Sequence, residues 1–119
     1  MENYRFELIT GPMSCGKTEE LLRRLKRAKI ANKSVKVFSP IIDTRAPKNH
    51  IQSRNGALLE AIKISDPYEI FDYLDGKEFE VIGIDEIQFF DSRIINVVQE
   101  LNKINKKIIA SGLDLDFKA

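Results

Sequence analysis

Two short segments of this 119-residue chain hold side chains whose types and spacing can do chemistry. The first is Gly11-Pro12-Met13-Ser14-Cys15-Gly16-Lys17-Thr18, a G-x-x-x-x-G-K-T pattern set between an apolar run and an amphipathic one. Phosphates need several N–H donors converging on one point, and a loop that supplies them needs glycine wherever a Cβ would block the turn or the anion. Gly11 and Gly16 meet that need. Lys17 would bring its ammonium to the β- and γ-phosphates, Thr18 its hydroxyl to Mg2+, and the following helix its positive N-terminal end. The lone Cys15 lies inside this loop, where a thiol would be acidified, although a small residue that simply fits is the plainer reading. The second segment, Phe79-Glu80-Val81-Ile82-Gly83-Ile84-Asp85-Glu86, is an apolar run ending in two carboxylates. Adjacent residues at a strand end point opposite ways, so Asp85 and Glu86 divide the work. One would reach the hydrated Mg2+ near Thr18, and the other would face an acceptor as general base.

The elements that must position these groups alternate between short extended runs and longer helical ones, as in βαβ units with a mostly parallel sheet. Tyr4 to Thr10 reads as the first strand. From Gly16 to about Asn32, Leu21, Leu22, Leu25 and Ala28 recur at helical spacing, with Glu19 and Glu20 in the first turn. Val35 to Ser39 is a second strand stopped at Pro40, and Ile41 to Gly56 reads as a long polar loop. Leu58 to Ile64 reads as extended, Pro67 to Leu74 as a short helix with Asp66 near its start, and Val81 to Ile84 as a buried strand. Ile94, Ile95, Val98 and Leu101 mark another helix, and Lys107 to Leu113 a last strand.

Composition narrows the field further. Nineteen Lys and Arg against eighteen Asp and Glu leave a net charge of +1, so no global field draws the chain to nucleic acid or to an anionic membrane. The run Arg23, Arg24, Lys26, Arg27, Lys29 then reads as the solvated face of the first helix. One cysteine excludes an internal disulfide and a cysteine-built zinc site from this chain alone, which fits a cytoplasmic setting. No apolar stretch approaches the roughly 20 residues of a membrane span, and MENYRFELIT lacks the features of a secretory signal. The expectation is one domain over residues 1–119.

GPMSCGKTEELLRRL, IIDTR, VIGIDEIQFFD and SGLDLDF, in this order, closely resemble type II thymidine kinases from about Glu7 to Phe117. The resemblance implies an α/β, RecA-like P-loop NTPase fold and transfer of the ATP γ-phosphoryl group to the 5′-hydroxyl of thymidine or deoxyuridine. It places Glu86 as the catalytic base. The ATP and phosphate set is Gly11, Pro12, Met13, Ser14, Cys15, Gly16, Lys17, Thr18, Asp43, Arg45, Asp85 and Gln88, with Thr18 and Asp85 serving Mg2+. Arg45 would neutralise charge on the transferring group. Met13, Phe89, Leu113 and Phe117 fall on positions around the nucleoside base, where apolar and aromatic faces suit a flat pyrimidine. A homotetramer is implied as well.

By residue type alone, Phe89, Phe90 and Leu113 read as core, Asp43 and Arg45 as a loop ion pair, and His50 as a lone histidine without a role. Two departures stand out. Ser14 replaces the aromatic residue usual in relatives, and the family's cysteine-rich zinc subdomain with its lasso-like loop has no counterpart in these residues, so Zn2+ is expected only where that subdomain exists. Besides the kinase, two further readings remain: an ATP-binding module that no longer turns over, and a RecA-like ATPase acting on another macromolecule, for which the chain offers no basic and aromatic surface.

Overall fold

Val81–Ile84 is buried at all four positions, the pattern of a strand covered on both faces. The computed structural model describes residues 6–10, 16–41, 50–52, 57–74 and 79–112, and places this strand, β6, at the centre of a five-stranded sheet. The order is β1-β7-β6-β2-β5, with β1 at Phe6–Ile9, β2 at Val35–Pro40, β5 at Ile62–Ile64 and β7 at Lys107–Ser111. Every pairing in it is parallel. Parallel neighbours cannot be joined by hairpins. The intervening helices are α1 (Lys17–Ile30), α2 (Glu69–Leu74) and α3 (Arg93–Lys103), which gives the α/β layering expected from the sequence.

The two faces of the sheet carry separate cores. On one, Leu21, Leu22 and Leu25 of α1 pack against Val37, Val81 and Ile109. On the other, Ile94, Val97, Val98 and Leu101 of α3 pack with Phe38, Ile82, Ile84 and Ile108. Fully burying a leucine contributes roughly 1.5–3 kcal/mol, whereas an exposed ion pair gives about 1 kcal/mol at most. The leucine stripe therefore anchors α1, and the pairs that Arg24 makes with Glu20 and Glu7 only trim its surface. Gly83 lets α1 come close: a Cβ there would lie 2.7 Å from Leu25 Cδ1. Asn32 and Asn105 end α1 and α3 in left-handed backbone, both at φ 66, a conformation asparagine tolerates better than most residues.

Several expectations need correction. The stretch read as a loop from Ile41 to Gly56 contains a strand, β3 (His50–Gln52), paired antiparallel with β4 (Leu58–Glu60). His50 is thus a strand residue opposite Glu60. Ile51 and Leu59, both buried beneath α1, anchor this small ribbon. The run from Leu58 to Ile64 is two strands in two sheets, broken at Ala61, because Leu59 and Ala61 join the α1 core while Ile64 joins the other. Pro40 ends β2 from within, paired with Ile64. The helix expected from Pro67 begins at Glu69, after a turn in which Asp66 accepts the Tyr68 N–H at 2.9 Å and Glu69 accepts the Asp66 N–H at 2.8 Å. In α3, fully buried Val97 completes a stripe in which Ile95 is only half-buried.

Candidate active site

The carboxyl ends of β1, β7, β6 and β2 meet the N-terminus of α1, the place where open parallel sheets take up ligands. Gly16 sits there at φ 76, and its carbonyl accepts the Glu20 N–H at 3.0 Å as the first helical bond. A side chain at Gly16 would be strained at that φ and would crowd Glu19 Oε1 at 3.3 Å. Lys17 opens the helix and is only 8% exposed. The next residue, Thr18, turns its hydroxyl toward the end of β6.

Asp85 is 1% exposed and follows β6 directly. Its N–H donates to the Phe38 carbonyl at 2.9 Å, so β2 holds its backbone. Two hydroxyls converge on its Oδ1, Ser111 at 2.7 Å and Thr18 at 3.4 Å. Ser111 in turn accepts the Glu86 N–H at 3.4 Å, which ties the two consecutive acids to the end of β7. No sequence signal singled out Ser111; a polar residue ending an apolar parallel strand was the available clue.

Glu86 diverges from Asp85 more sharply than strand alternation alone requires. It has left the strand and takes left-handed backbone, φ 53 and ψ 49, ahead of a 3₁₀ turn over Ile87–Phe89. For a side chain other than glycine or asparagine this conformation costs of order 1–3 kcal/mol, and such residues cluster at functional sites. Glu86 is 8% exposed, and its carboxylate accepts the Gln88 amide N–H at 2.7 Å on Oε1. Gln88 has room because residue 112 is glycine: a Cβ there would stand 2.6 Å from Gln88 Oε1. Phe90 is core, whereas Phe89, beside Gln88, is 53% exposed.

The residues fit a hard divalent cation bound in the manner of Mg2+. Magnesium keeps several waters and takes one or two carboxylates together with phosphate oxygens, rather than an all-protein cage. Asp85 and the Thr18 hydroxyl supply oxygens within reach of each other, and among the described residues no group of three or more His, Cys, Asp or Glu is arranged around a metal.

A cleft of about 550 Å3 lies at the opposite end of α1, at the strands' amino ends, lined by residues including Glu7, Arg24, Lys33, Glu80 and Lys107. Most of its charges are paired: Glu7 with Arg24 and Lys107, Glu20 with Arg24, and Glu80 with Lys33. None of the described residues lining it is among those expected to do chemistry.

Gly16, Lys17, Thr18, Asp85, Glu86, Gln88 and Phe89 are thus gathered at one end of the sheet. Gly11, Pro12, Met13, Ser14, Cys15, Asp43, Arg45, Leu113 and Phe117 lie outside the described residues. Among the described residues no helix is long and apolar enough to cross a membrane. Residues 4–119 match the sequence profile of the thymidine kinase family. A thymidine kinase of Mycoplasma genitalium is 53% identical over 113 residues, an alignment covering 95% of this chain and 53% of the relative. The chain therefore spans about half the length of that curated relative.

Proposed function

The chain belongs to the thymidine kinase family, and on that premise we propose that it is the nucleotide-binding portion of an enzyme that phosphorylates thymidine or deoxyuridine with ATP. The observation that carries this reading is Glu86, a buried carboxylate in strained backbone, held by Gln88 and set one residue past Asp85. In the transfer, the nucleoside 5′-oxygen bonds to the γ-phosphorus as the bond from that phosphorus to the β,γ-bridging oxygen breaks. ADP leaves, and Glu86 takes the hydroxyl proton.

The other side chains prepare and hold this geometry. Lys17, at the positive end of α1, binds the β- and γ-phosphates. Thr18 and Asp85 would hold Mg2+, which would supply neutralisation of the charge that builds up on the phosphates. Ser111 orients the Asp85 carboxylate, and Gln88 orients Glu86. Phe89 offers an exposed aromatic face for the pyrimidine. Arg45 and Asp43 act at the phosphates, Gly11, Pro12, Met13, Ser14 and Cys15 form the phosphate loop, and Met13, Leu113 and Phe117 complete the surroundings of the base. The intact protein works as a cytoplasmic homotetramer without nucleic-acid or membrane partners, and takes up zinc only if a cysteine-rich subdomain accompanies these residues.

The test is product formation by the intact protein with ATP, Mg2+ and thymidine or deoxyuridine. Nucleoside monophosphate and ADP should appear in equal amounts. ATP hydrolysis without nucleoside product, or hydrolysis stimulated by nucleic acid instead, would overturn the assignment.

A further inference from the structure

Across the sheet at the level of Asp85, four polar residues stand in one row: Ser111 on β7, Asp85 after β6, Ser39 on β2 and Lys63 on β5. Register sets the row. Phe38 and Ala110 both lie opposite Ile84, so the next residues, Ser39 and Ser111, flank Asp85, and Ser39 lies opposite Lys63. Alternation sets the face. Val37, two residues before Ser39, belongs to the α1 core, and Gly83, two before Asp85, touches Leu25 of α1.

Ser111 donates to Asp85. Ser39 differs: it is 0% exposed and its hydroxyl has no hydrogen-bond partner among the described residues. A hydroxyl removed from water without a partner is destabilising, and a methyl group would serve packing better at that point. Ser39 nevertheless stands next to Asp85, the residue assigned to the metal, in the row across the sheet and on the same face. A water of hydration needs two to four partners, and a serine hydroxyl both donates and accepts.

We propose that Ser39 is a positioning residue of the metal site, its hydroxyl binding a water of the Mg2+ hydration shell from β2 while Asp85 holds the ion from β6. The proposal rests on the Mg2+-nucleotide reading above. The neutral hydroxyl would fix the direction in which the hydrated ion sits without competing with Asp85 for its charge.

The experiment is thermal unfolding of the intact protein and of Ser39→Ala in EDTA, in ADP with EDTA, and in ADP over a Mg2+ titration. Ser39→Ala should melt at or above wild type in EDTA, because an unsatisfied hydroxyl has been removed, and should respond equally to ADP alone. The Mg2+ concentration giving half of the additional stabilisation should rise about 3- to 10-fold, the weight of one hydrogen bond. Ser39→Cys, which fills the space with a weakly bonding sulfur, should behave as Ser39→Ala and so separates the hydroxyl from the volume. An unchanged Mg2+ requirement, or a variant less stable than wild type in EDTA, overturns the role of Ser39 alone. Wild type gaining nothing from ADP and Mg2+ overturns the nucleotide reading and the Ser39 role together.

Discussion

Gly112→Ala should disable the site from behind. Gly112 directly follows β7, its N–H donating to the Ile9 carbonyl at 3.1 Å, so its backbone is tied to the sheet. A methyl there would stand 2.6 Å from Gln88 Oε1 and 2.8 Å from Ile87 Cγ2, both closer than real Cβ atoms come to a neighbour. Gln88 can swing away, but its amide then leaves Glu86, to which it now donates at 2.7 Å. Ile87 is buried in the core and yields less easily. A hydrogen bond to a charged group is worth about 1.5–3 kcal/mol, which sets an upper range of roughly 10- to 100-fold on the loss in kcat if the bond orients the base. Crowding Ile87 adds about 1–3 kcal/mol of destabilisation. Initial rates of nucleoside phosphorylation by the intact protein, measured beside its melting temperature, separate the two effects. Because the methyl acts on Glu86 through Gln88, Gly112→Ala should add little to the kcat loss of Gln88→Ala in the double variant. Losses that multiply, or a Gly112→Ala variant of lowered stability and normal kcat, would refute this reasoning.

Gly83→Ala should cost about 1–3 kcal/mol in urea unfolding, because its methyl would stand 2.7 Å from Leu25 Cδ1, and a smaller residue at position 25 should recover part of the loss. Lys107 first, and Arg24 with it, hold the Glu7 carboxyl below its ordinary value of 4.5. A lowered folded-state pKa contributes stability above the unfolded value and loses it as pH falls through the folded one. Glu7→Gln should therefore lower stability near pH 7 by less than about 1 kcal/mol, since these pairs are more than a third exposed, and the gap should close as pH drops below 4.5. A gap that persisted in strong acid would show that Glu7 acts through packing instead.

Legibility followed the range of the forces involved. β1, β2, β6, β7, α1 and α3 were readable because each carries its own apolar run or stripe, and a run buried on both faces declares itself in four residues such as Val81–Ile84. The β3–β4 ribbon was not, because Ile51 and Leu59 are isolated apolar residues in a polar stretch and become anchors only once α1 lies over them. The break at Ala61 was hidden for a related reason: the run looks continuous, but its two halves bury opposite faces. In the site, Lys17, Thr18, Asp85 and Glu86 were legible from spacing. Ser111 and Ser39 were not, because only the register of strands distant in sequence sets them on either side of Asp85. The left-handed backbone of Glu86 and the grip of Gln88 on it likewise belong to the folded turn.

The most direct test of Glu86 as the base is Glu86→Gln in the intact protein, with nucleotide affinity and phosphorylation of thymidine measured on one preparation. The amide keeps the size of the side chain and removes its capacity to take a proton. Affinity for ADP with Mg2+ should stay close to wild type while kcat falls by about 10²- to 10⁴-fold. A variant that phosphorylates thymidine at the wild-type rate would contradict the role given to Glu86.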